Sequence, residues 1–196
     1  MILGWKWAAY NSSSATASVA SGALTLTANG KFESGNQVFG YVYREVTGDF
    51  VATVQVDSYD TPSATGNQSL AGLILAPDFS ATGTNFLHVM AAQSPSNTFN
   101  RSVRVTAGNA SRGALTAPTA TGAQKAIIKL ERVGNACSIS YSLDGGATFG
   151  SARKETFAAD LPNTIYLGMA VSSGDSSKTA TAVFSKFMLN NASVVF

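Results

Sequence analysis

Three observations predict an all-β chain. Runs of strand length alternate apolar and polar residues with a period of two from one end to the other. No window of about 12 residues carries an apolar stripe at helical spacing. Gly, Asn, Asp and Pro punctuate the runs where tight turns belong. With about ten short strands and no crossover helices the pairing is antiparallel, and the expected architecture is two packed sheets in a jelly roll, with a closed barrel as the alternative. The 196 residues fit one such sandwich, so residues 1–196 are expected to form a single domain that buries roughly 70% of its unfolded surface.

Taken in order, Trp5 and Trp7 share one strand face. The Ser/Thr/Ala-rich stretch 11–22 makes residues 1–23 either an extended arm or a weakly alternating edge strand. Strands are then expected at 24–27, 38–46, 50–58, 70–75, 86–92, 101–106, 126–133, 137–143, 165–172 and 179–189. Phe50, Ala52, Val54 and Val56 alternate with Val51, Thr53, Gln55 and Asp57. Ile165, Leu167, Met169 and Val171 likewise alternate with Tyr166, Gly168 and Ala170. The stretches 61–69, 76–85, 93–100 and 107–124 are rich in Ser, Thr, Gly, Asn and Pro, and are expected to be surface loops where binding groups are placed.

The clearest signal lies between Ile127 and Phe149. Ile127, Lys129, Glu131 and Val133 fall on one side of a strand, and Ala126, Ile128, Leu130 and Arg132 on the other. After Gly134-Asn135, Cys137, Ile139, Tyr141 and Leu143 face one way while Ser138, Ser140 and Ser142 face the other, which predicts one buried and one wet face. Gly134-Asn135 and Asp144-Gly145-Gly146 offer the positive φ angles that tight turns need, and turn chemistry explains all five without a ligand.

Composition excludes several functions. Charged residues are only 12% of the chain, and 13 basic against 11 acidic residues leave a net charge of +2, too weak a field to gather nucleic acid or anionic lipid. No apolar run approaches the ~20 residues that span a bilayer, so no membrane insertion is expected. The amino end, Met-Ile-Leu-Gly-Trp-Lys-Trp, lacks the pattern of a signal peptide. Cys137 is the only cysteine, which rules out an internal disulfide or a Cys-rich zinc site, and its place beside Ile139 suits a small buried hydrophobe.

The run Lys129-Leu130-Glu131-Arg132-x-Gly134-Asn135, followed by Tyr141-Ser142-x-Asp144-Gly145, resembles the concanavalin A-like lectin/glucanase superfamily, in particular its laminin-G-like and DUF1349-type jelly rolls. Gly48-Asp49-Phe50, Ala71-Gly72-Leu73-Ile74-Leu75, Tyr166-Leu167-Gly168-Met169-Ala170-Val171 and Ala182-Val183-Phe184 fit the same pattern in order, so the resemblance covers about residues 36–189. It implies a sandwich of two curved sheets that often binds glycans or other proteins, and it implies no single activity.

Glucanases of that superfamily place paired carboxylates on one strand, roughly 5 Å apart. This chain has no such run. Its acids come singly, and the nearest pair, Asp57 and Asp60, leads into Thr61-Pro62 as a turn would. His88, the only histidine, shares a strand face with Phe86 and Met90 and reads as packed rather than catalytic. Asp78, Asn85 and Asn67 are too scattered for a legume-lectin metal site. No catalytic residue, metal or cofactor is therefore expected.

Binding without turnover fits better. Tyr41 and Tyr43 share a face with Phe39 and could stack on sugar rings, while Arg101 and Arg104 lie near the 93–100 loop as candidate polar contacts. The two apolar ends, with Trp5, Trp7 and Phe196, are candidates for packing against a neighbouring subunit or the chain's own sheet. These features are expected of a non-enzymatic structural or adhesion protein on a virion exterior, a capsid decoration or tail component, in a homo-oligomer or with other virion proteins. A glycan-binding module of a secreted or cell-surface system is the alternative.

Overall fold

Alternation turns into layers because each strand has one apolar side to bury. In the computed structural model, which describes residues 4–32, 37–61, 69–81, 85–94, 98–119 and 125–196, the chain folds as two antiparallel sheets. The strands are β1 (Lys6–Tyr10), β2 (Thr16–Ala20), β3 (Ala23–Gly30), β4 (Phe39–Thr47), β5 (Phe50–Asp60), β6 (Ser69–Ala76), β7 (His88–Ser94), β8 (Thr98–Thr106), β9 (Asn109–Ala114), β10 (Ile127–Val133), β11 (Ala136–Ser142), β12 (Arg153–Thr156), β13 (Thr164–Ser173), β14 (Asp175–Leu189) and β15 (Ala192–Ser193). A seven-strand sheet runs β1-β4-β13-β6-β7-β8-β9, and an eight-strand sheet runs β12-β11-β10-β5-β14-β3-β2 with β15 on β14.

Every strand expected from the sequence forms. The sequence reading missed three short ones at the rims: β9, β12 and β15. Of the two readings of residues 1–23, the edge strand is the one seen, since β1 and β2 each end a sheet. β9 occupies part of the stretch expected to be a loop, where Asn109–Ala114 alternates too weakly to stand out. It forms because β8 offers a partner, pairing Ser102 with Arg112 and Val103 with Ser111.

Between the sheets the apolar sides meet: Leu24, Leu26, Phe50, Val54, Ile128, Leu130, Ile139, Ile165, Leu167 and Phe184 are all buried there. β14 reaches this core twice because of a bulge. Its register against β5 shifts between Ser185 and Met188, where Lys186 takes φ 51°. The extra residue lets both Phe184 and Phe187 point inward, and Phe187 meets Trp5 edge-on at 5.0 Å.

The β10–β11 hairpin has the predicted faces, with one correction at the turn and one at the wet side. Only Gly134 has positive φ (58°), and with Val133 paired to Ala136 the two-residue turn is of type II′, so Asn135 needs no unusual backbone. Ser140 and Ser142, expected to be wet, are buried, because the segment after β11 folds back over them. Ser142 Oγ donates to Asp144 Oδ1 (2.7 Å) and accepts from Gly146 N (2.9 Å), and Lys129 Nζ sits 4.3 Å from the Phe149 ring centroid. Arg132, on the buried side as predicted, donates to the carbonyls of Gly134, Pro162 and Asn163, which satisfies its guanidinium at the end of the sandwich.

Candidate functional site

The seven-strand sheet has a second apolar face, turned away from the sandwich core. Phe39, Tyr41 and Tyr43 on β4, Tyr10 on β1, Leu70 and Ile74 on β6, Met90 on β7 and Ala170 on β13 all project from it. Phe32, Phe79 and Phe86 close over them from outside the strands. The rings form a continuous stack: Tyr10 on Phe39 at 4.9 Å, Phe32 on Phe39 at 4.6 Å, and Phe79 on Tyr41 at 4.2 Å. Small residues in the sheet make this packing fit. At Gly168 an added Cβ would collide with the Val42 carbonyl oxygen, so β13 and β4 approach closely beneath the rings.

Along this face the environment changes from apolar and closed to polar. At the middle, Tyr41 is buried and its hydroxyl is pushed up to about 12 by loss of solvent, while the Tyr10 hydroxyl donates to the Ala81 carbonyl. Toward β8, His88 is buried beside Arg104, with its Nδ1 3.4 Å from the Phe86 carbonyl oxygen and its Nε2 3.1 Å from Ser102 Oγ. A carbonyl only accepts, so Nδ1 carries the proton and Nε2 accepts from Ser102. Burial lowers the His88 pKa to about 3, and the nearby Arg104 and Arg112 charges push the same way, so the ring is neutral at any ordinary pH. Arg104 is itself fully buried and donates to the Phe86 carbonyl at 3.4 Å.

At the opposite end the face opens. Tyr43 and Tyr166 are half-buried and meet at right angles, 5.4 Å apart and 89° between planes. Beside them Lys6 Nζ pairs with Glu45 Oε1 at 3.1 Å, both side chains well exposed. Two tilted phenol rings next to one cation and one carboxylate offer apolar ring faces and directional hydrogen-bond partners together.

The structure thus sorts the residues proposed from sequence. Tyr41, Tyr43 and Arg104 share the outer face, but only Tyr43 reaches solvent. Arg101 projects to the opposite side of β8 and pairs with Glu155 across to β12 at 3.1 Å, so it lies at the inter-sheet edge, away from the other three. Trp5 packs inside its own chain: its Nε1 donates to the Val195 carbonyl at 3.1 Å and its ring lies 5.0 Å from Phe187 and 5.5 Å from Phe196. Trp7 is 54% exposed. Sequence reading missed Tyr166, although its alternation with Gly168 and Ala170 marked it as the one large side chain on that side of β13. Lys6 and Glu45 carried no signal, because a charge pair 39 residues apart appears only on pairing β1 with β4.

Cys137 is buried, and its thiol is pushed up to about 12 by desolvation. Asp78 is taken up by its own turn, accepting from Ser80 N at 2.7 Å and Ser80 Oγ at 2.9 Å. Asn67, weighed as a ligand, lies outside the described residues. Among the described residues no group of three or more His, Cys, Asp or Glu side chains could hold a metal ion, and no helix is long and apolar enough to cross a membrane.

No protein-family model and no curated protein matches this sequence. Solved structures do. A functionally unknown protein from Saccharomyces cerevisiae is similar at a TM-score of 0.66 with 15% identity, over 99% of this chain and 98% of that one. The exoplasmic/lumenal domain of VIP36, in a form bound to calcium and Man3GlcNAc, is similar at 0.58 with 12% identity, over 98% of this chain and 85% of that one. The carbohydrate-binding module CBM66 from Bacillus subtilis is similar at 0.56 with 15% identity, over 95% of both chains. The fold is a concanavalin A-like, two-sheet antiparallel jelly roll.

Proposed function

We propose that this chain is a glycan-binding module that holds its ligand without turning it over. The observation that carries the reading is the open end of the outer face, where Tyr43 and Tyr166 stand at 89° to each other beside the Lys6–Glu45 pair. The C–H face of a sugar ring stacks on one phenol, and its hydroxyls bond to the ammonium, the carboxylate and the second phenol. Binding rather than hydrolysis is supported by how the nearby carboxylates are employed: Glu45 is paired with Lys6, and Asp78 accepts two bonds from Ser80. Neither stands beside a second acid as glycosidic cleavage requires. The lectin-like fold suits the same use without specifying it.

A virion-exterior role draws on the same sandwich, but of the apolar-end residues that suggested a neighbouring subunit, Trp5 is buried in the chain's own core and Phe196 packs against it, which leaves Trp7 exposed. The reading proposed is therefore glycan recognition, in an extracellular setting where glycans are met.

A glycan array followed by calorimetry tests it. Binding of at least one neutral oligosaccharide is expected, weakened about tenfold or more in Tyr43→Ala and in Tyr166→Ala, a loss of stacking worth about 1.4 kcal/mol. Unchanged affinity in both variants rejects this face as the site.

A further inference from the structure

The β1 edge carries a second group of residues that the outer face does not use. The register pairing Lys6 with Tyr43 and Trp7 with Val42 sets Trp5 opposite Arg44, and places Trp5, Trp7, Val42 and Arg44 on the core side of the sheet. The Arg44 guanidinium lies over Trp5, 5.5 Å from the ring centroid. Among the described residues Arg44 makes no hydrogen bond and no ion pair, and its Nε is buried without a partner. Glu45, its neighbour in sequence, points to the other face and is taken by Lys6. Arg44 is half-buried and its unpartnered buried Nε is costly, while the planar fork is shaped to receive a carboxylate at its remaining nitrogens.

Next to it on the same side stands Trp7, diagonal to Arg44 in the β1–β4 ladder and 54% exposed. Diagonal neighbours lie about 7–8 Å apart, roughly the span from the face of a sugar ring to an exocyclic carboxylate on an adjoining residue. An exposed indole at a sheet edge offers the largest flat apolar surface the chain has. We infer that Trp7 and Arg44 form a subsite for a carboxylated sugar, a uronate, with the ring on the Trp7 indole and the carboxylate in the Arg44 fork. This inference rests on the glycan-binding reading for its ligand class and on separate residues for its site.

The test is a titration with the linear tetramer of galacturonic acid, read by tryptophan fluorescence and calorimetry, with the neutral galactose tetramer and acetate as controls. Saturable quenching by the acid tetramer alone is expected, weakening as salt is raised. Trp7→Phe removes most of the quench, and what remains reports Trp5 beneath Arg44. Arg44→Gln weakens the affinity about tenfold or more, and Arg44→Lys, a point charge without the fork, falls between. Equal binding of the neutral tetramer, or an affinity unchanged in Arg44→Gln, overturns the subsite. Should Arg44→Gln fail to fold, Trp7→Ala at the exposed position decides, and unchanged affinity there overturns it equally. Tyr43→Ala separates the two readings: uronate binding that survives it and is lost in Arg44→Gln belongs to the edge, even if neutral glycans bind nowhere. Uronate binding lost in Tyr43→Ala and kept in Arg44→Gln places the acid on the outer face and rejects the edge subsite.

Discussion

The two hydrophobic clusters of this molecule lie on opposite faces of the same seven-strand sheet and are built differently. Between the sheets the core is mostly aliphatic and drawn from both layers, with the long strands of each sheet contributing their alternating sides. On the outer face the cluster is aromatic, with Tyr10, Phe32, Phe39, Tyr41, Phe79 and Phe86 packed ring to ring, and part of it comes from segments between strands folded onto the sheet. The first cluster holds the sandwich together. The second fills a sheet face that would otherwise be exposed, and among the described residues it ends in the partly open aromatics of that face, Tyr43 and Tyr166. Strand pairing alone therefore does not make a face available to ligand; what the intervening segments cover decides it.

Truncation should break the two regions unequally. Phe184→Ala, fully buried between the sheets, is expected to cost about 3–5 kcal/mol in chemical denaturation, because the transfer loss is joined by a cavity that two sheets cannot close. Phe79→Ala is expected to cost about 1.5–3 kcal/mol, since the segment bearing it can settle onto the sheet. Equal losses would show that the outer cluster is as rigid as the inner one.

Acid should separate them next. His88, in the outer cluster, is held neutral with its folded pKa near 3 against an ordinary value of 6.5, so between these values the unfolded chain binds the extra proton. Stability attributable to His88 is present in full above about 6.5 and declines as pH falls toward 3. Thermal melts of the wild type should lose stability over that window, and His88→Leu should flatten the loss; parallel curves would contradict the assignment.

The smallest effect is expected on the eight-strand sheet. Asp144 accepts from Thr148 N (2.9 Å), Thr148 Oγ1 (2.5 Å) and Ser142 Oγ (2.7 Å), which hold its carboxyl at about 2 against 3.8. Its contribution is present above about pH 4 and disappears as pH falls through 2, the reverse of a raised group and lower in range than that of His88. Asp144→Asn should lower the melting temperature slightly at pH 7 and by much less at pH 2. A difference undiminished at pH 2 would show that the turn depends on shape rather than charge.

Particular residues show why the sequence reading succeeded where it did. Ile128, Leu130 and Cys137 were placed correctly because a side chain two residues along a strand must return to the same face, whatever the rest of the chain does. Arg101 and Arg104 were grouped although they are three apart and lie on opposite sides of β8; alternation already separated them. The burial of Ser140 and Ser142 could not be read, since the segment that covers them contributes nothing to the local pattern. Tyr41 and Tyr43 share a face and a residue type, yet Phe79, 38 and 36 positions away in the chain, stacks on the first at 4.2 Å and only tilts against the second at 5.3 Å, and one is buried and the other half-open.

By itself, then, the sequence determined the long strands, their inward sides, the hairpin at Gly134 and hence the sandwich, because these follow from backbone geometry over a few residues. Only the tertiary structure decided which aromatics are sealed and which are open, that Lys6 meets Glu45, and that Arg44 lies over Trp5 beside an exposed Trp7. Those are meetings of residues far apart in the chain, and no local periodicity encodes them.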